Sequence, residues 1–168
     1  GSRHIVVSHG SNELINLLWH IFLSVGDNVI CCPPTFSLYT FVTTFCGAYV
    51  VEVPRTAEYE VDVASILAAL TPETKMIVLC SPNNPTGKVF TSAELITLGQ
   101  LCEEFDCLLI CDEIYEHIIF DGEKHVAPIT LPSLRERTVA INSLSKTFSV
   151  TGWRVGWVIA PPELTNSI

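Results

Sequence analysis

The segment TVAINSLSKTFSVTGWRVGWVIA, residues 138–160, contains two apolar runs separated by a short polar stretch. The runs TVAINS (138–143) and WRVGWVIA (153–160) are rich in β-branched residues and predict two strands. The connection between them is too short for a crossover helix, so the second strand is predicted to be antiparallel to the first. The connection also carries Lys146, the only ionisable side chain between Arg137 and Arg154.

Upstream of this segment, apolar runs alternate with stretches of helical periodicity. The predicted strands are 4–8, 28–33, 48–54, 75–81 and 107–112, and the predicted helices are 11–24, 36–45, 61–70 and 92–105. Alternation of this kind indicates an α/β fold in which helices cover both faces of a largely parallel sheet. We therefore predict three α/β/α layers around about seven strands, of which the last is antiparallel.

Composition limits the classes of function. The 168 residues are sufficient for one domain, and 16% of them are charged against about 25% in average soluble proteins. The net charge of −9, without a basic cluster, argues against nucleic acid or anionic membranes as partners. No apolar run approaches the roughly 18 residues of a membrane span.

The seven cysteines form no C-x-x-C pair, and most stand inside apolar runs such as LLICD. Cysteine in such runs behaves as a small buried hydrophobic residue. We interpret the cysteines as reduced core thiols of a cytoplasmic protein and predict no metal site.

In open α/β sheets the ligand lies beyond the carboxyl ends of the strands. After the first strand, Gly10, Ser11 and Asn12 begin a helix, where free backbone N–H groups can hold a phosphate. A plain helix N-cap formed by Ser11 or Asn12 is the alternative there.

The loop SPNNPTG (81–87) follows the fourth strand, and Asp112 ends the fifth. The prolines and glycine make the loop a rigid turn, which would also hold the amide of Asn84 in place for a hydrogen bond. A carboxylate at the end of a buried strand is costly unless it meets a cation or a metal. Asp112 could also be a helix-capping residue.

Lys146 follows the sixth strand, between serines. A lysine withdrawn from water can act as a nucleophile and form a Schiff base. The hydroxyl groups of Ser143 and Ser145 could bind a phosphate beside it, and Arg154 could add a bidentate contact. A surface lysine next to a capping serine is the alternative.

Three segments, SPNNPTG, DEIYEH and SLSKTFSVTGWRVGW, together resemble the class I/II aminotransferases, which are fold type I pyridoxal-phosphate enzymes. The resemblance runs from about residue 5 to 165. It implies pyridoxal 5′-phosphate as cofactor, an amino acid and a 2-oxo acid as substrates, and a homodimer.

The resemblance also implies roles for individual residues. Lys146 would form the Schiff base and carry the proton, with Asp112 on the pyridine nitrogen. Tyr115 and Asn84 would hydrogen-bond the phenolic oxygen, and Phe36 would stack on the ring. The phosphate ligands would be Gly10, Ser11, Asn12, Ser143, Ser145 and Arg154.

Members of this family are about twice as long as this chain. Residues 1–2 are interpreted as a tag remnant and residues 3–168 as the large domain, without the family's N-terminal arm and C-terminal small domain. No residue of this chain can be assigned to binding the substrate carboxylate. The subfamily signals are mixed, since PPTFSLY with GAYVVEVP resembles histidinol-phosphate aminotransferases and DEIYEHIIFDG resembles the aspartate, kynurenine and methionine types.

We therefore predict an aminotransferase with Lys146, Asp112 and Tyr115 as catalytic residues. Two alternatives stay open: a pyridoxal-phosphate lyase similar to aminocyclopropane-carboxylate synthase, and a pyridoxal-phosphate-binding module without turnover. A folded domain that binds no cofactor is the remaining possibility.

Overall fold

Seven strands form a single sheet in the computed structural model, which describes residues 1–168. The strands are β1 (Ile5–Ser8), β2 (Asn28–Cys31), β3 (Tyr49–Glu52), β4 (Thr74–Cys80), β5 (Leu108–Asp112), β6 (Thr138–Ser143) and β7 (Gly156–Ile159). Their order across the sheet is β1-β7-β6-β5-β4-β2-β3. Strand β7 is antiparallel to both of its neighbours, and the other pairs are parallel. The predicted seven-stranded sheet with an antiparallel last strand is confirmed.

Helices cover both faces of the sheet, as predicted. They are α1 (Ser11–Phe22), α2 (Leu38–Phe45), α3 (Val63–Ala69), α4 (Ser92–Glu104), α5 (Leu144–Thr147) and α6 (Pro162–Thr165). One core cluster joins α1 and α2 to the sheet, and a second joins α3 and α4 to the opposite face.

The five residues Met76–Cys80 of strand β4 are all apolar, without the alternation of a strand that has one face in water. Met76 and Val78 pack into the first core cluster, whereas Ile77 and Leu79 pack into the second. Successive side chains of a strand point to opposite faces, so a strand covered on both faces buries all of them.

The cysteines are all free thiols, and each one except Cys46 is buried. Their predicted burial in the core is therefore confirmed. None of the helices is both long enough and apolar enough to cross a membrane.

Near the candidate site, two predicted boundaries were wrong and one short helix was not predicted. Helix α2 begins at Leu38, and Phe36 lies in the preceding loop. Strand β7 begins at Gly156 because Arg154 adopts a left-handed conformation (φ 52°, ψ 52°) that a strand cannot contain. The residues around Lys146 form the four-residue helix α5, which is too short to show helical periodicity in the sequence.

Candidate active site

The segments that follow β1, β2, β4, β5 and β6 surround a cavity of about 270 Å³. This volume is close to the lower end of the range for small-molecule sites, roughly 300 Å³, so the cavity suits a small ligand. Its lining consists of Ser11, Asn12, Phe36, Cys80, Asn84, Asp112, Ile114, Tyr115, Ser145, Lys146, Thr151 and Arg154. The cavity therefore contains all of the residues predicted for the site except Gly10 and Ser143.

Those two residues lie behind the cavity wall. Ser143 is buried at the start of α5, where its Oγ accepts the backbone N–H of Ser145 at 3.2 Å. Gly10 is the N-cap of α1 and has a positive φ of 87°. A Cβ at Gly10 would lie 2.7 Å from Nη2 of Arg154, so glycine leaves space for the guanidinium.

Lys146 reaches the cavity from α5. Its Nζ lies 5.7 Å from the centre of the Tyr115 ring, over the ring face, within the range of a cation–π contact. It forms no salt bridge, whereas Lys88 contacts both Glu60 and Glu94. The Lys146 amine thus faces the cavity without an acidic partner.

A positively polarised corner lies where α1 begins. No side chain caps this helix, so its first backbone N–H groups have no side-chain acceptor. The guanidinium of Arg154 lies against Gly10, forms no salt bridge, and donates from Nη1 to the carbonyl of Thr151 at 3.2 Å. Ser11 and Ser145 also line the cavity. This corner can bind an anion such as a phosphate.

Asp112 lies at the end of β5 and is only 3% exposed. Its Oδ2 accepts the hydroxyl of Tyr39 at 2.7 Å, and its Oδ1 accepts the backbone N–H of Ile114 at 3.2 Å. Burial raises the pKa of Asp112 to about 6, although both hydrogen bonds oppose the rise. A carboxylate in such a place would be stabilised by a cationic group in the cavity.

Next to Asp112 in the chain, Glu113 belongs to a second set of buried polar side chains, with His125 and Asn142. Oε2 of Glu113 lies 3.4 Å from Nε2 of His125. Oε1 of Glu113, both ring nitrogens of His125 and Oδ1 of Asn142 have no hydrogen-bond partner. Burial raises the pKa of Glu113, and its charge in turn contributes to the raised pKa of Asp112.

Comparison with known proteins agrees with this arrangement. The sequence family described as aminotransferase class I and II matches residues 2–168. The arginine–pyruvate transaminase of Pseudomonas aeruginosa is 39% identical over 165 residues, which cover 97% of this chain and 42% of that protein. Kynurenine–oxoglutarate transaminase 1 of Homo sapiens is 34% identical over an alignment that covers 99% of this chain and 42% of the human protein.

Solved structures match as closely. An aspartate aminotransferase double mutant from Thermus thermophilus superposes with a TM-score of 0.93 at 35% identity, over 98% of this chain and 43% of that one. N-Succinyldiaminopimelate aminotransferase from Mycobacterium tuberculosis gives a TM-score of 0.95 at 31% identity, over 99% of this chain and 44% of that one.

The chain belongs to the class I and II aminotransferase family. The predicted family and the fold type I architecture are thereby confirmed. The chain spans 42% of the length of the curated relatives described above.

Four residues at the candidate site were missed by sequence reasoning. Cys80, Ile114 and Thr151 line the cavity, and Tyr39 donates to Asp112 from behind it. Tyr39 lies in the first turn of α2, and Phe36 lies in the loop before that helix. Their rings meet edge to face at 5.6 Å. No sequence pattern marked Tyr39 or Ile114 as part of the site.

Proposed function

We propose that the protein containing this chain is a pyridoxal-phosphate-dependent aminotransferase, which moves an amino group from an amino acid to a 2-oxo acid. Membership of the aminotransferase family supports the proposal. The observation that carries it is the shared cavity, in which an unpaired lysine amine and a buried carboxylate lie with an anion-binding corner. Each of these groups corresponds to one part of pyridoxal phosphate.

The donor set fits the cofactor at both ends. The first N–H groups of α1, the hydroxyl groups of Ser11 and Ser145, the amide of Asn12 and the guanidinium of Arg154 would hold the phosphate dianion. The space that Gly10 leaves for Arg154 supports this assignment. Phe36 would stack on the ring, with Asn84 and Tyr115 as donors to its oxygen. When bound, pyridoxal phosphate supplies an aldehyde carbon and an electron-withdrawing ring.

The protein's own residues then have separate tasks. Lys146 would bind covalently through Nζ and, when released, would hold and deliver the proton that moves during transfer. Asp112 would keep its negative charge beside the ring nitrogen, a charge that the hydrogen bond from Tyr39 stabilises. Ser143 would act indirectly, because its Oγ holds the N–H of Ser145.

Borohydride reduction followed by peptide mapping tests the proposal. In the presence of pyridoxal phosphate, we expect a label on the peptide that contains Lys146 and no label in Lys146→Ala. Lys124→Ala is the matched control, because Lys124 is exposed and lies outside the cavity, and it should be labelled as the unchanged protein is. An unlabelled Lys146 at saturating cofactor would refute the proposed function.

A half-reaction separates transfer from elimination. With an amino acid alone, a transferase releases one equivalent of 2-oxo acid and keeps the nitrogen, and a second 2-oxo acid then restores the starting spectrum. A β-eliminating lyase instead releases ammonia continuously, and an enzyme similar to aminocyclopropane-carboxylate synthase expels the γ-substituent and releases the amino nitrogen with its cyclic product, so neither forms 2-oxo acid in one stoichiometric burst. We expect the outcome of a transferase: one equivalent of 2-oxo acid, and recovery of the starting spectrum with a second 2-oxo acid.

We also propose a cytoplasmic homodimer in which residues 3–168 are the large domain. Support for the dimer comes from the low content of charged residues and from exposed aromatic residues on α2. Phe41 and Phe45 are 66% and 71% exposed and stack on each other at 6.3 Å. Light scattering of the purified protein measures the oligomeric state directly.

A further inference from the structure

We propose that Asn83 and Arg55 form a clamp, a pair of positioning residues that fixes the two loops carrying Phe36 and Asn84. These loops are 33–37, between β2 and α2, and 81–87, after β4. The inference rests on the proposed function, since its consequence is the placement of the two contacts assigned to the cofactor ring. Asn83 and Arg55 themselves do not line the cavity.

The side-chain amide of Asn83 has its full set of hydrogen bonds. Its Oδ1 accepts from Oγ1 of Thr35 at 3.2 Å and from Nη2 of Arg55 at 3.3 Å. Its Nδ2 donates to the carbonyl of Pro34 at 3.1 Å and to Oγ1 of Thr86 at 2.8 Å. One amide, 4% exposed, therefore joins both loops and the guanidinium.

Arg55 connects this amide to the sheet. Its backbone N–H donates to the carbonyl of Pro33 at 2.9 Å, and its Nε donates to the carbonyl of Cys32 at 3.1 Å. The guanidinium lies over the Phe90 ring at 5.2 Å and is held by neutral acceptors without a salt bridge. Burial of Arg55 lowers its pKa. A buried cation without an ion pair is expensive, which indicates that its geometry serves more than bulk stability.

Each loop carries one of the residues assigned to the cofactor ring, next to a residue that the clamp holds. Phe36 follows Thr35 directly, and Asn84 follows Asn83. A shift of the Asn83 amide would therefore move Phe36 and Asn84 together. The anion-binding corner is built from other segments, α1 and the region from Ser145 to Arg154, and would stay in place.

Two variants and their combination test the clamp. Asn83→Ala removes all four amide hydrogen bonds, and Arg55→Met removes the guanidinium but keeps an apolar contact for Phe90. Asn83→Asp is the second variant if the alanine variant folds poorly, because it keeps the acceptor for Thr35 and Arg55 and loses the donor to Pro34 and Thr86. Arg137→Met is the matched control, because Arg137 forms an exposed ion pair with Asp106.

We expect the affinity for pyridoxal phosphate to fall about tenfold in each clamp variant. This is the effect of losing one well-placed hydrogen bond, here the bond from the displaced Asn84 to the cofactor ring. The double variant should lose little more than the worse single variant, because the two residues act through one contact. Affinity for inorganic phosphate should stay unchanged. The pH midpoint of the bound cofactor's visible absorption should move, because Asn84 is displaced.

Three results would overturn the clamp: unchanged cofactor affinity in both variants, equal losses for phosphate and cofactor, or fully additive effects. The equal losses would indicate a general structural defect. If the unchanged protein forms no covalent adduct at Lys146, the proposed function fails and the clamp fails with it. Normal binding by the unchanged protein with unaffected variants refutes the clamp alone.

Discussion

Asp112 is a carboxylate whose two oxygens are held by different donors, a tyrosine hydroxyl and a backbone amide. Its surroundings nevertheless favour the neutral form, since burial outweighs both bonds and raises its pKa to about 6. A residue of this kind lowers the stability of the cofactor-free protein at neutral pH. Its charge becomes favourable only when a cation lies beside it, which is the situation proposed for the bound cofactor.

Because burial disfavours the charge of Asp112, replacing it by a neutral side chain is predicted to stabilise the protein without cofactor. The pKa of Asp112 in the folded protein is raised from the ordinary value of 3.8 to about 6. The protonated Asp112 side chain therefore contributes fully to stability below pH 3.8, and this contribution is lost as the pH rises through about 6. Asp112→Asn should therefore raise the free energy of unfolding at pH 8 by about 2 kcal/mol. This figure allows for about 1 kcal/mol of weakened hydrogen bonds.

Urea denaturation at several pH values measures this effect. The advantage of Asp112→Asn should shrink as the pH falls from 8 to 5. Asp106→Asn is the control, because the Asp106 side chain is 90% exposed, and it should change stability little at any pH. An asparagine variant less stable than the unchanged protein at pH 8 would contradict the argument.

Contact between α1 and β7 sets the position of the anion-binding corner. Gly156 begins β7 and lies under the start of α1, where a Cβ would come 2.6 Å from the carbonyl carbon of Gly10 and 2.7 Å from the backbone nitrogen of Ser11. The neighbouring atoms are backbone and cannot move aside as a side chain can. The absence of a side chain at Gly156 thus determines how closely helix and strand approach.

Gly156→Ala should therefore destabilise the protein and displace the first turn of α1. We expect a loss of about 3 kcal/mol in unfolding free energy and a weaker affinity for inorganic phosphate. Gly152→Ala is the matched control, since a Cβ at Gly152 would have no atom within 4 Å and the φ of this residue is not positive. Thermal melts with and without phosphate measure both effects, and equal behaviour of the two variants would refute the proposed contact.

The small number of cationic side chains at the cavity limits which parts of a substrate the 168 residues can bind. Only two cations, Lys146 and Arg154, line the cavity. One is assigned to covalent binding of the cofactor and the other to its phosphate. No cation of the lining is left to pair with the carboxylate of an amino-acid substrate.

We therefore predict that the 168 residues by themselves bind pyridoxal phosphate but transaminate very slowly. Absorbance of the bound cofactor should report binding, while turnover with an amino acid and 2-oxoglutarate should be at least about a hundredfold below that of a relative, because a charged pair worth roughly 3 kcal/mol is missing. Rapid steady-state turnover by these residues would show that the carboxylate is bound in another way.

The sequence predicted the fold well because its elements carry strong local signals. Strand β4 is apolar at successive positions, which only a sheet covered on both faces requires, and α4 begins with the capping box of Thr91 and Glu94. The boundaries near the site were less predictable. Phe36 lies in a loop, next to Thr35, which hydrogen-bonds Asn83 across 48 positions, a contact that no local pattern contains.

The sequence by itself determined the order of strands and helices along the chain, the antiparallel last strand and most of the residues that line the cavity, since residues at the carboxyl ends of parallel strands must meet at one edge. Only the tertiary structure decided which groups are buried and which donors they meet. It placed Tyr39 on Asp112, left Lys146 without an acid, and packed Gly156 under Gly10. The physical reason is that elements follow local periodicity, whereas burial and hydrogen bonding depend on residues far apart in the chain.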